Sequence, residues 1–112
     1  MLSIGAIVLH TDPETAGTFW RHALSMDQGR SPDFLVPRQK GAPELHLDVT
    51  DSTHLDLWTE SPEEQRAEVE RLLALGATRV EWDYPPDADF VVLADPAGAL
   101  FCVVNRGAPL LR

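Results

Sequence analysis

The chain has 112 residues, the length of one domain, and its 44% hydrophobic residues can supply an ordinary core. A net charge of −9 and a pI near 4.6 weigh against nucleic acid and against an anionic membrane surface as partners. A single cysteine, Cys102, excludes an internal disulfide, and the nine Lys and Arg residues are scattered without a run that would make a basic patch.

The first stretch, MLSIGAIVLH, lacks a basic n-region, and its apolar run is too short to span a bilayer, so a cytoplasmic protein is expected. Residues 2–10 have the length and β-branched centre of a strand. Asp12 then offers an N-cap, Pro13 suits the first helical position and Glu14 complements the helix dipole. Ala16, Phe19, Trp20, Ala23 and Leu24 follow the spacing of one buried helix face, with the helix ending near Ser25. Asp33–Val36 reads as a short strand, which Pro32, Pro37 and Pro43 are expected to confine to an edge.

Glu44–Thr50 alternates, with Leu45, Leu47 and Val49 on one face and Glu44, His46 and Asp48 on the other. His54–Thr59 alternates again, with Leu55 and Leu57 opposite His54, Asp56 and Trp58. Ser61, Pro62 and Glu64 form a capping box with proline at its first turn, Val69, Leu72 and Leu73 make the buried stripe, and Gly76 ends the helix. Ala77–Trp82 is expected as a strand and 83–88, with Pro85-Pro86, as a loop. Phe90–Ala94 and Leu100–Val104 form two apolar strands around an Asp-Pro-Ala-Gly turn, and residues 106–112 make a short tail.

The order strand, helix, strands occurs twice, and Thr11-Asp12-Pro13-Glu14 recurs as Thr59-Glu60-Ser61-Pro62-Glu63 with one insertion. Two copies of one βαβββ unit, over about residues 1–51 and 52–106 of a single domain 1–112, account for this order. An offset of 48 sets His54 opposite Ala6, and matching the last strands of the two copies sets Cys102 opposite Asp48. The expected fold is α+β, with two tandem βαβββ modules forming an open, curved, cleft-bearing sheet and the helices outside. The cleft side would carry Ala6, Val8, His10, His46, Asp48, His54, Asp56, Trp58, Cys102 and Val104.

His54-Leu-Asp-Leu-Trp, the helix ending EVERLLALGATRV and the stretch DFVVLADPAGALFCVV together resemble the glyoxalase-like group of the vicinal oxygen chelate superfamily, which includes bleomycin-resistance proteins and dioxygenases. Residues 4–24 resemble its first strand and helix more loosely, and residues 26–43 match poorly. The resemblance implies paired modules, a homodimer and up to four metal-ligand positions, which fall on Ala6, Asp48, His54 and Cys102. The first has no donor atom, and the last is a thiol where the superfamily's metal enzymes have a carboxylate.

The function expected on these grounds is binding of a small molecule without a catalytic metal or other cofactor. Its ligand-binding residues would be His10, Asp48, His54, Asp56, Trp58 and Cys102, with His54 as the residue able to serve in proton transfer. Trp58 offers either a stacking wall or ordinary packing, and Tyr84 lies in a loop that would close over a cleft. Two enzymatic alternatives stand beside it. One is a divalent-metal lyase, isomerase or dioxygenase, for which Asp48, His54 and Cys102 are zinc-type donors. The other is a metal-free enzyme pairing His54 with Asp48 or Asp56.

Overall fold

A computed structural model describes residues 2–107, so the expected tail beyond Gly107 lies outside the described residues. Ile4–Leu55 form one compact unit, and Asp56 onward, with the first residues of the chain, forms the other. Each has βαβββ connectivity, and the α+β class expected from the repeat is the class observed. Among the described residues no helix is long and apolar enough to cross a membrane.

The first unit contains β1 (Ser3–Leu9), α1 (Pro13–Ala23), β2 (Asp27–Gln28), β3 (Phe34–Val36) and β4 (Glu44–Leu47). Its strands lie in the order β2-β3-β4-β1. β1 and β4 are parallel, with Ala6 opposite Glu44 and Leu9 opposite Leu47, and the other neighbours are antiparallel. Asp12 caps α1 by accepting from the Glu14 amide at 3.0 Å, one of the donors that a helix start leaves open, and it also accepts from the Thr15 hydroxyl at 2.8 Å. Met26, Leu35, Leu45 and Leu47 form the core under α1, joined by Ile7, Leu9 and Trp20.

Two expectations in this unit are corrected. The helix approaches the strands through Gly17, which is buried and where an added Cβ would stand 3.9 Å from Leu47, so the buried face lies about one residue away from the expected stripe. Phe19 and Leu24 consequently point outward, 63% and 52% exposed, while Trp20 does pack on the core. Likewise β3 is not an edge strand, since it pairs with both β2 and β4. Its prolines flank the paired residues and leave their N–H groups intact, so proline's missing donor costs the ladder nothing. The two-residue β2 forms the edge instead.

The second unit contains β5 (His54–Thr59), α2 (Pro62–Ala74), β6 (Thr78–Arg79), β7 (Phe90–Ala94) and β8 (Leu100–Asn105), with strands in the order β5-β8-β7-β6. The division between the units falls inside β5, which is one continuous strand. Ser61 accepts from the Glu64 amide at 3.0 Å, the forward half of the expected capping box, while the Glu64 carboxylate reaches back past the N-cap to the Glu60 amide at 2.6 Å. Gly76 follows the helix at φ +120°, a conformation that glycine adopts without a Cβ penalty. Val69 is buried with Leu93 and Val103, and Leu72, Leu73, Val91 and Phe101 pack around them. The Gln65 amide also donates to the carbonyls of Asp89 and Val103, tying α2 to the β7/β8 hairpin.

That hairpin owes its turn to Asp95, whose carboxylate accepts from the amides of Ala97 (2.8 Å) and Ala99 (2.9 Å). Gly98, at φ +96°, supplies the left-handed residue. The turn fixes the register from Phe90 opposite Val104 to Ala94 opposite Leu100. The expected strand Ala77–Trp82 shrinks to Thr78–Arg79, which pairs with Leu93 and Ala94 only. Beyond it the edge of β7 is served by a side chain: the Tyr84 hydroxyl accepts the Val92 amide hydrogen at 2.8 Å. Tyr84 is therefore held to the sheet edge by its own hydroxyl.

Candidate functional site

β5 and β8 are neighbouring strands, and their alternation decides which side chains share a face. Phe101 and Val103 of β8 pack in the α2 core, so Cys102 and Val104 lie on the other face. His54, Asp56 and Trp58 occupy alternate positions of β5. One donor atom from each of His54, Asp56 and Cys102 lies within 4.8 Å of the other two, and all three residues are partly buried. This cluster is the centre of the candidate site.

The His54 ring is positioned by its own loop. Its Nδ1 sits 2.7 Å from the Ser52 carbonyl and 3.9 Å from the Asp51 carboxylate, and the side chain is only 10% exposed. A carbonyl accepts and does not donate, so the bond assigns the hydrogen to Nδ1 and the lone pair to Nε2 in the neutral ring. That tautomer suits either proton transfer or metal ligation through Nε2.

Trp58 lies one alternation beyond Asp56, and the Arg106 guanidinium covers its ring at 4.0 Å from the centroid. Arg106 is held in turn by its backbone amide, which donates to the Thr59 carbonyl at 2.8 Å. Thr59 itself is fully buried and donates its hydroxyl to the Val104 carbonyl at 2.9 Å. Sequence reasoning passed over Arg106 because it follows the last strand in what reads as a tail.

The remaining expected site residues are engaged elsewhere. The Asp48 carboxylate accepts from the Thr50 amide at 2.8 Å and the Thr50 hydroxyl at 2.6 Å, closing a turn after β4, and it is not one of the three clustered donors. The exposed His10 receives similar use, with its amide on the Thr53 hydroxyl at 3.0 Å and its Nδ1 2.8 Å from the Asp51 carbonyl. His46 stacks on Phe34 at 4.0 Å and bonds to Asp33 at 3.2 Å. Ala6 is buried and pairs with Glu44.

The repeat can now be aligned on a hydrogen bond. Leu9 ends β1 and accepts from the Asp48 amide, while Thr59 ends β5 and accepts from the Arg106 amide. On that bond Ala6 corresponds to Asp56, Val8 to Trp58, Glu44 to Cys102 and Asp48 to Arg106. The sequence offset of 48 instead matches His54 with Ala6, and the last strands laid together match Cys102 with Asp48, so the two alignments differ by two residues along β5 and four along β8 and keep the same strand faces.

Hydrogen bonding also sets the acid response of the first unit. The Ser31 hydroxyl, followed by weaker help from its own amide and His46, holds the Asp33 carboxyl below its usual 3.8. The hydroxyl and then the amide of Thr50 do the same for Asp48. A carboxylate whose folded pKa is depressed stabilises the fold fully above its unfolded value, and that contribution is lost as the pH falls through the folded value. Unfolding stability is therefore expected to hold down to about pH 4 and fall below it. Asp33→Asn should flatten this acid limb in denaturant titrations across that range, and an unchanged limb would remove Asp33 from the account.

The donor chemistry fits zinc, since Asp, His and Cys are all zinc ligands and one site of three protein donors leaves a position open. The first unit holds a separate pocket of about 400 Å³ on its α1 side, lined by Ile7, Leu24, Met26 and Leu45 among others.

Two βαβββ units of like strand order define the paired-module class of α+β protein. A sequence model described as a glyoxalase-like domain matches residues 6–104, and the chain belongs to that family. No curated protein sequence matches it. A solved structure described as NAD-dependent benzaldehyde dehydrogenase from Legionella pneumophila is 14% identical with a TM-score of 0.65, covering 89% of this chain and 96% of that one; the likeness is one of fold. A glyoxalase-related enzyme from Fulvimarina pelagi is 20% identical over 93% of this chain and 88% of that one, with a TM-score of 0.43. A glyoxalase/bleomycin resistance protein from Albidiferax ferrireducens T118 is 19% identical over 93% and 97%, with a TM-score of 0.42.

Proposed function

We propose that this glyoxalase-like protein binds a small molecule on the β5/β8 face, as a cytoplasmic homodimer, with His54, Asp56 and Cys102 as its polar contacts and Trp58 as its aromatic neighbour. The convergence of three donor groups within 4.8 Å on one face carries this reading. Such a cluster beside an apolar ring is the composition that fixes a ligand's orientation in a binding site. The acidic surface supports the exclusion of nucleic acid and anionic membranes as partners.

A second reading is favoured by the donor set itself. His54 Nε2, the Asp56 carboxylate and the Cys102 thiolate would hold a zinc ion, which would supply Lewis-acid chemistry for a lyase or isomerase reaction. A thiolate selects zinc over the manganese or calcium type of ion. The metal-free acid–base reading requires only His54, whose tautomer places the lone pair at Nε2.

Thermal shift with a panel of planar metabolites, with and without chelator and added Zn²⁺, separates these readings. A bound ligand at about one hundred times its Kd stabilises by about 2.7 kcal/mol. Stabilisation that survives chelator and is lost in His54→Ala and Cys102→Ser supports plain binding. Stabilisation that chelator removes and Zn²⁺ restores supports the metal site. Turnover without metal that disappears in His54→Ala, with binding retained, supports the acid–base enzyme. Ligand shifts that persist in both variants would place the ligand away from this face.

A further inference from the structure

The β5/β8 face has an end that the three donors do not use. Arg106 follows β8 and lies flat against Trp58, 4.0 Å from the ring centroid. Two strand residues span roughly 7 Å, so Trp58, which carries this guanidinium, stands about that distance along β5 from Asp56. Its backbone is fixed by the Thr59 carbonyl, and Thr59 is fully buried.

Arg38, Arg71 and Arg79 are each held by a carboxylate, from Asp27, Glu68 and Glu70 respectively. Arg30 lies over the Phe34 ring at 3.7 Å, so what distinguishes Arg106 is that its stack stands on the strand that carries His54 and Asp56. Among the described residues no carboxylate pairs with Arg106, although the chain carries 18 acidic residues and a net charge of −9. A guanidinium held by its face keeps its N–H fork at the rim, where it can take a carboxylate through two parallel hydrogen bonds. The stack also limits the side-chain freedom that would otherwise be lost on binding.

We propose that the ligand of this face is a small organic anion, a monocarboxylate, whose charged end pairs with Arg106 while its other end reaches the His54, Asp56 and Cys102 cluster. The assignment rests on the β5/β8 face being the ligand site and names the chemical class that it selects. Trp58 is the positioning residue, acting through the guanidinium that it supports. The surrounding negative charge opposes anions in general, so affinity depends on this one fork, and the ligand must also match the spacing to the cluster.

The experiment compares phenylacetate with its neutral isostere phenylacetamide on isotope-labelled protein at low salt, following backbone amide shifts. The expected result is shifts along β5 and β8, with phenylacetate bound about tenfold more tightly than the amide, the factor a charge-assisted pair supplies. Arg106→Gln, which keeps a hydrogen-bonding side chain without charge, should bring the two affinities together. Arg106→Lys should recover part of the preference, and Trp58→Leu should weaken phenylacetate binding more than phenylacetamide binding, so that the preference shrinks. Equal affinities in the wild-type protein, with shifts still on β5 and β8, would overturn the anion assignment and leave the binding face standing. Absence of shifts on those strands with either compound would overturn both.

Discussion

Leu93→Ala should lower the unfolding free energy by about 2–5 kcal/mol. Leu93 has no exposed surface and lies between Val69 of α2 and Val103 of β8, at the centre of the second unit's core. Truncation removes the transfer free energy of the lost carbons and leaves a cavity that a close-packed sheet can only partly fill. Its neighbours limit relaxation: Leu93 pairs with Phe101 on β8 and Arg79 on β6, and Asp95 pins the hairpin just beyond it. A protein of this size commonly has about 5–15 kcal/mol of stability, so the loss is a large fraction of the total. Urea denaturation followed by Trp fluorescence measures it. A loss below about 1 kcal/mol would mean that the hairpin and α2 do not share one packed core.

The contrast between Leu93 and Phe19 shows which features can be read from sequence. Leu93 lies in a short apolar strand closed by Asp95, Pro96 and Gly98, where turn chemistry and pairing leave little choice of register. The capped starts of both helices were legible for the same local reason, since Asp12 and Ser61 act on amides two or three residues away. Phe19 and Leu24 fit a buried helical stripe equally well in the sequence, but Gly17 brings the helix onto the strands along a different line. That choice depends on how closely the helix backbone approaches Leu47, thirty positions away, which no local pattern contains.

The site divides in the same way. Strand alternation placed His54, Asp56 and Trp58 on one face, and the apolar pattern of β8 placed Cys102 opposite Phe101 and Val103. Asp48 also looked suited to that group, yet its carboxylate closes a turn on Thr50. Arg106 gave no signal, because its importance comes from the ring beneath it and the carbonyl that holds its backbone. Register was the missing quantity in both cases. It is set by hydrogen bonds between strands, and residue type constrains those bonds only through the face that each residue presents.

Gly107→Ala is expected to destabilise the protein by about 1–3 kcal/mol or more, although it adds a single methyl group. A Cβ at this position would stand 1.7 Å from the Glu60 carbonyl oxygen and 2.5 Å from its carbon. Both obstacles are backbone, so no side-chain rotation removes the clash. Glu60 cannot retreat freely, because its amide is engaged by the Glu64 carboxylate at the start of α2. On the other side, the Asn105 side chain accepts from the Gly107 amide at 2.9 Å, and Arg106 is tied to Thr59. Relief therefore requires the chain after β8 to lift, which would draw Arg106 away from Trp58 and break the pair proposed to recognise the ligand's charge. Two measurements follow: a lower midpoint in urea, and a preference for phenylacetate over phenylacetamide reduced toward that of Arg106→Gln. Gly107→Ala with unchanged stability would show that the chain leaves β8 along a path different from the one that stacks Arg106 on Trp58.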